Sequence, residues 1–134
     1  MKSRDIALLI LFGSAFWFAG TLFYRVRGPM IFETTNLRYW INFLATPIVS
    51  SALCILLLNS LRIPDAQWAA ASLLIALPGM AGEALILSRF TFFLPRMHEE
   101  SGGNYGALLF ASYALLLVIG EIVTMRVAGT GRQG

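Results

Sequence analysis

The sequence predicts an all-α polytopic membrane protein, a bundle of four transmembrane helices in a single domain spanning residues 1–134. Two observations carry this. The apolar residues are gathered into four long runs, and charge is almost confined to the segments between them. With 57% hydrophobic and 13% charged residues, and a mean hydropathy of +0.72, the chain lacks the charge to cover a water-facing surface. A soluble domain carries roughly 25% charged residues.

The first run, about residues 6–24, is free of charge and long enough to cross a ~30 Å hydrocarbon layer. Lys2 and Arg4 precede it, as in a signal peptide. Bulky Phe23 and Tyr24 stand where a cleavage site needs small residues, so a retained helix is expected. Gly28-Pro29 is expected to break the chain within a loop from Arg25 to Arg38. Thr34, Thr35 or Asn36 can cap the second helix, about 39–61. Arg62-Ile63-Pro64-Asp65 reads as a tight turn, with Asp65 as cap to the third helix, about 66–88. A longer connection from Arg89 to Asn104 leads to the fourth helix, about 105–125. The Gly-rich tail, about 127–134, is expected to be disordered. Lipid leaves no other partner for the backbone, so each run should be helical. The alternating strands of a β-barrel are not visible.

Small residues mark where membrane helices approach closely. Gly13, Trp17, Gly20 and Tyr24 share a face of the first helix. Ser72, Ala76, Gly79 and Glu83 share one on the third, and Gly106, Tyr113 and Gly120 repeat on the fourth. These stripes are expected to form the bundle interior. Pro47 and Pro78 fall inside helices and free the carbonyls of Phe43 and Leu74.

Glu83 is the residue with the strongest claim to chemistry. It stands about 8 Å inside the third helix at a rise of 1.5 Å per residue, where an ionised carboxylate costs several kcal/mol unless paired, wet or protonated. Asn42, Arg38 and Arg89 end at the same side of the membrane. The expectation is a structural ion pair of Glu83 with Arg38 or Arg89, and the functional alternative is a proton or cation site. Glu121 lies at the opposite side with Arg62 and Arg126 and reads as half of an interfacial salt bridge. Cys54, the only cysteine, can form no internal disulfide and reads as a small hydrophobe. His98, the only histidine, stands with Glu99 and Glu100 in a loop and gives a weak metal signal. No nucleophile–base set, phosphate loop or dinucleotide fingerprint is present, so no enzyme, cofactor or metal is expected. The basic residues are scattered at helix ends rather than clustered on one face, which excludes a nucleic-acid surface.

Gly13, Trp17 and Gly20, the segment Leu77-Pro78-Gly79-Met80 with the acid Glu83, Phe93-Leu94-Pro95, and Tyr105-Gly106 leading to Tyr113 together resemble a family of uncharacterised small four-helix bacterial integral membrane proteins. In that family the acid is more often aspartate, and Glu83 departs from it. The resemblance implies the topology and no activity.

Function is therefore expected to rest on helix association in the bilayer, as a homo-oligomer or an accessory subunit of a larger membrane complex. The alternative is a small proton-coupled transporter using Glu83, like the small multidrug transporters, which carry their acid in the first helix. Nine of the ten basic residues are arginine, which points to a GC-rich bacterial genome and the inner membrane. Basic residues are balanced five against five across the two sides, and the first helix favours cytoplasmic termini. An even number of crossings puts both termini on one side. Cysteines placed at Ser3 and Gly131 should then react with an impermeant thiol reagent from the same face, and labelling from opposite faces would refute the four-span count.

Overall fold

In the computed structural model, which describes residues 1–133, five helices follow one another. They are α1 (Ser3–Phe32), α2 (Asn36–Ser60), α3 (Trp68–Ser88), the single turn α4 (Phe90–Phe93) and α5 (Gly102–Gln133). Short 3-10 turns at Asp65–Gln67 and Glu99–Ser101 lead into α3 and α5. Four of these segments are long and apolar enough to cross a membrane. No strand occurs among the described residues.

The helices outrun the apolar runs. With 30 and 32 residues, α1 and α5 reach about 45 Å at 1.5 Å per residue, more than the hydrocarbon layer. Hydropathy marks only the lipid-buried part of a helix, whereas backbone bonding continues through the headgroup zone. The expected break at Gly28-Pro29 is thus corrected, because Pro29 sits inside α1. Its missing N–H costs one bond near the interface, where water can serve the freed carbonyl. Gly28 is buried because the Met97 side chain occupies the place of its absent Cβ. The disordered tail expected from residue 127 is corrected too, since α5 continues through Gln133. Gly134, the end of that expected tail, lies outside the described residues.

α3 is the central element. It packs against α1 on one side and α5 on the other, and α5 also packs against α2. α1 and α2 are joined by only Glu33–Thr35 yet pack little on each other. Two apolar clusters close the two ends of the bundle. Leu9, Cys54, Leu58, Ile63, Trp68 and Ile75 fill the end bearing the N-terminus. Tyr24, Phe32, Tyr39, Phe90, Leu94 and Tyr105 fill the other.

The connections are tied by specific bonds. Thr35 caps α2 by accepting from the Arg38 N–H at 3.2 Å. Asp65 makes no side-chain cap but opens the 3-10 turn. Thr124 of α5 takes the capping role there, accepting from the Ala69 N–H at 2.9 Å and donating to the Asp65 carbonyl at 3.2 Å. Glu33, at the end of α1, accepts from Ser101 Oγ at 2.9 Å and from the His98 N–H, which fastens the two loops at that end.

α2 ends in a Schellman motif. The Ile63 N–H donates to the Leu58 carbonyl and the Arg62 N–H to that of Asn59, both at 3.0 Å, while Leu58 and Ile63 share the core. The motif needs a left-handed residue at its centre, and Arg62 holds φ at 54°. A left-handed conformation costs a residue with a Cβ roughly 1–2 kcal/mol. Arg62→Gly should therefore raise stability by about 1 kcal/mol in a detergent unfolding titration, and a loss of stability would refute this account of the turn.

Candidate functional site

Four of the helix contacts are set by residues too small to hold neighbours apart. The place of a Cβ on Gly13 is taken by the backbone of Ile75, which brings α1 onto α3. A Cβ on Gly79 would meet the Tyr113 hydroxyl, and one on Gly120 would meet Ser72, so α5 closes on α3. Trp17 lays its indole where a Cβ of Gly82 would stand. Gly20 differs. Nothing lies within 4 Å of the position its Cβ would take. Its expected role as a packing residue is corrected, because α1 turns this residue towards a space and not towards a helix.

That space is a cavity of about 440 Å³ between the four long helices. Its back wall is buried and comes from α3 and α5, through residues such as Ile75, Gly79, Glu83, Tyr105 and Leu116. Its front is formed by α1 and α2, and there several of the lining side chains are exposed. Phe23 is 49% exposed and Val49 56%. The volume falls within the ~300–1,000 Å³ of small-molecule sites.

Glu83 stands on the back wall with 5% of its surface exposed. The Tyr105 hydroxyl donates to its Oε1 at 3.3 Å. Oε2 is buried and meets no donor in hydrogen-bond geometry among the described residues, although the Trp17 indole lies beside Glu83. Trp17 Nε1 and Thr21 Oγ1, both of cavity-lining residues, are buried and unpartnered as well. Two of these atoms belong to α1 and one to α3, so polar groups without partners stand on both sides of the cavity, against the rule that buried polar atoms are nearly always satisfied.

The ion pair expected for Glu83 is not formed. Among the described residues, the one acid–base contact within 4.0 Å is between His98 Nε2 and Glu33 Oε2. Arg38 and Arg89 are exposed and do not line the cavity. Their long side chains can reach headgroups and water at less cost than a dry carboxylate. Of the expected binding residues, the structure thus brings Glu83 and Asn42 to one cavity and leaves Arg38 and Arg89 outside it. Glu121, Arg62 and Arg126 are likewise exposed and not within 4.0 Å of each other, so the salt bridge expected among them is not formed either.

Asn42 belongs to a polar tie that the sequence did not announce. Its Nδ2 donates to the Tyr24 hydroxyl at 3.1 Å, and Thr46 Oγ1 donates to its Oδ1 at 3.2 Å. The tie joins α1 to α2 beside the cavity. The signal was present in part, since Asn42 and Thr46 stand one turn apart on a span that is otherwise mostly apolar. Tyr24 and Tyr105 meet edge to face with centroids 5.7 Å apart, which places aromatic surface around Glu83. Among the described residues no group of three or more His, Cys, Asp or Glu lies close enough to hold a metal.

The site asks opposite things of the two glycines on α1. Gly13→Leu should destabilise the bundle by about 1–3 kcal/mol, since the Ile75 backbone cannot yield. Gly20→Leu should leave stability unchanged or raise it, because the side chain enters open space. Thermal unfolding of both variants in one detergent checks this, and equal losses would refute the cavity at Gly20.

The model of a family described as DUF5367, a family of unknown function, matches residues 31–127. The matched stretch holds Glu83, Asn42, Thr46 and Tyr105 and leaves out Trp17, Thr21 and Tyr24. No curated protein and no solved structure matches the chain.

Proposed function

The chain belongs to the DUF5367 family of unknown function, and we propose that within it this membrane protein binds an organic cation at Glu83, which takes the cation or a proton in turn, as in a small proton-coupled transporter. The observation that carries the reading is the carboxylate of Glu83, a residue only 5% exposed, facing a cavity that no arginine or lysine lines among the described residues. A carboxylate with no built-in counter-charge selects positive charge in its guest. The walls suit the same class. Trp17, Tyr24, Tyr105 and Tyr113 line the cavity, and the faces of such rings attract ammonium and phosphonium groups. The other polar groups lining the cavity are neutral or aromatic, Tyr24, Asn42, Thr46 and Tyr105 among them, so Glu83 is the only carboxylate or basic group on the cavity wall among the described residues.

The expectation of a structural ion pair no longer has a partner to support it. Association into an oligomer or with a larger complex draws on outward apolar faces such as Leu37, Ile41, Leu44 and Ile48, which lipid tails satisfy equally well. The bacterial inner membrane and cytoplasmic termini remain part of this proposal, on the arginine-rich composition and the basic start of the chain.

Binding of tetraphenylphosphonium to the purified protein tests the reading. Affinity should fall as the pH is lowered, since protons compete for the carboxylate. Glu83→Gln should weaken binding by at least about tenfold, or 1.4 kcal/mol. The same variant should melt no lower than the native chain, because it orphans no arginine. Unchanged binding by Glu83→Gln would refute the cation site. A large loss of stability would point instead to a structural role for the carboxylate.

A further inference from the structure

We infer that the cavity is loaded sideways from the bilayer through a window between α1 and α2, and that its guest is an amphiphilic cation with its charged head at Glu83 and its hydrocarbon tail towards Gly13 and Leu116. The inference rests on the cation site above and names the class of cation.

The first ground is which sides are closed. Both water-facing ends of the bundle are stoppered by apolar clusters. At the Glu83 end, Phe32, Tyr39, Phe90 and Leu94 lie between the cavity and the loops. The Glu33 bonds to Ser101 and to the His98 N–H hold that end together. At the other end Leu58, Ile63 and Trp68 close the bundle, and the Trp68 indole is fixed by donating to the Ile63 carbonyl at 3.1 Å. The back is closed by α3 against α5. Round the bundle α1 packs closely on α3, α3 on α5 and α5 on α2, but α1 and α2 pack little on each other, and cavity residues they contribute there, such as Phe16, Phe23, Val49 and Leu53, are exposed. In a membrane that exposure is to lipid tails.

The second ground is the polarity along the cavity. From Gly13 to Tyr24 it follows α1 for about 16 Å at 1.5 Å per residue. Glu83, Tyr105 and the Tyr24–Asn42–Thr46 tie gather at one end. Leu53, Cys54, Ile75 and Leu116 line the other. Because the helices span the membrane, this gradient runs parallel to a lipid chain, polar near one surface and apolar towards the middle. An amphiphile resting in that leaflet already has this orientation. It can slide in without turning and without drawing its tail through water. A small hydrophilic cation would gain nothing from the apolar half and has no open route from either aqueous end.

The test compares tetramethylammonium with decyltrimethylammonium, by equilibrium binding to the protein in lipid nanodiscs, corrected with protein-free discs. Decyltrimethylammonium should bind at least about tenfold more tightly at equal free concentration, and Glu83→Gln should abolish both. Ala45→Leu adds bulk at an exposed position of the window on α2, outside the packed core, and should remove most of the decyl advantage. Equal affinities that both depend on Glu83 would overturn the amphiphile and leave the cation site standing. A decyl advantage untouched by Ala45→Leu would overturn the window. Binding of neither cation would overturn the cation site and this inference with it.

Discussion

The structure depends on how closely α1 and α5 can approach α3. Lipid tails are as apolar as leucine, so nothing squeezes these helices together as water would, and they hold by contact and by buried polar bonds. Contact is greatest where no side chain intervenes. Gly13 lets the Ile75 backbone in, and Gly120 admits Ser72. These two glycines pin α1 and α5 to opposite flanks of α3. With both flanks taken, α2 is left to pack on α5. The shape of the bundle, and the gap between α1 and α2, follow from the places where α3 and its neighbours are smallest.

Once the gap exists, its contents are fixed by the same stripe. Glu83 belongs with Ser72, Ala76 and Gly79 on one face of α3 and so faces inward with them. That inward placement was legible in the sequence, as were the four spans and the contacts at Gly13, Gly79 and Gly120. The helix ends were not legible. Hydropathy follows the hydrocarbon layer, while α1 runs on past Arg25 and Arg27 to Phe32 because helical bonding does not stop at the headgroups. Gly20 shows a second limit. A glycine pattern shows which face of a helix is smooth, but not whether a neighbour lies opposite. At Gly13 one does, and at Gly20 the missing partner is the cavity itself.

The unpaired state of Glu83 was hidden for a related reason. Depth along the sequence puts Arg38 and Arg89 near Glu83, and depth is all that a list of spans provides. Pairing also needs the right azimuth. Arg38 lies in the first turn of α2 and Arg89 just beyond α3, both exposed, whereas Glu83 points to the centre. An aromatic layer containing Phe32, Tyr39 and Phe90 stands between the carboxylate and that end of the bundle. An arginine turned inward would have to displace those rings and lose its hydration for a single ion pair, which in apolar surroundings returns little. The rings exclude water from the Glu83 end at no such cost.

That exclusion explains why the polar bonds of the site are arranged as they are. Tyr24, Asn42 and Thr46 satisfy one another and join α1 to α2 at the polar end of the gap, beside the carboxylate. Their bonds are neutral, with the Tyr24 and Thr46 hydroxyls 3.3 Å apart and free to exchange donor and acceptor roles. A neutral tie of this kind holds two helices without introducing a charge that would neutralise Glu83. A lysine or arginine at Asn42 would join the helices more strongly and occupy the carboxylate at the same time. Among the described residues the chain therefore keeps the bonds that join α1 to α2 neutral and its one cavity carboxylate without a counter-charge, so the strength of the helix tie does not depend on the charge state of Glu83.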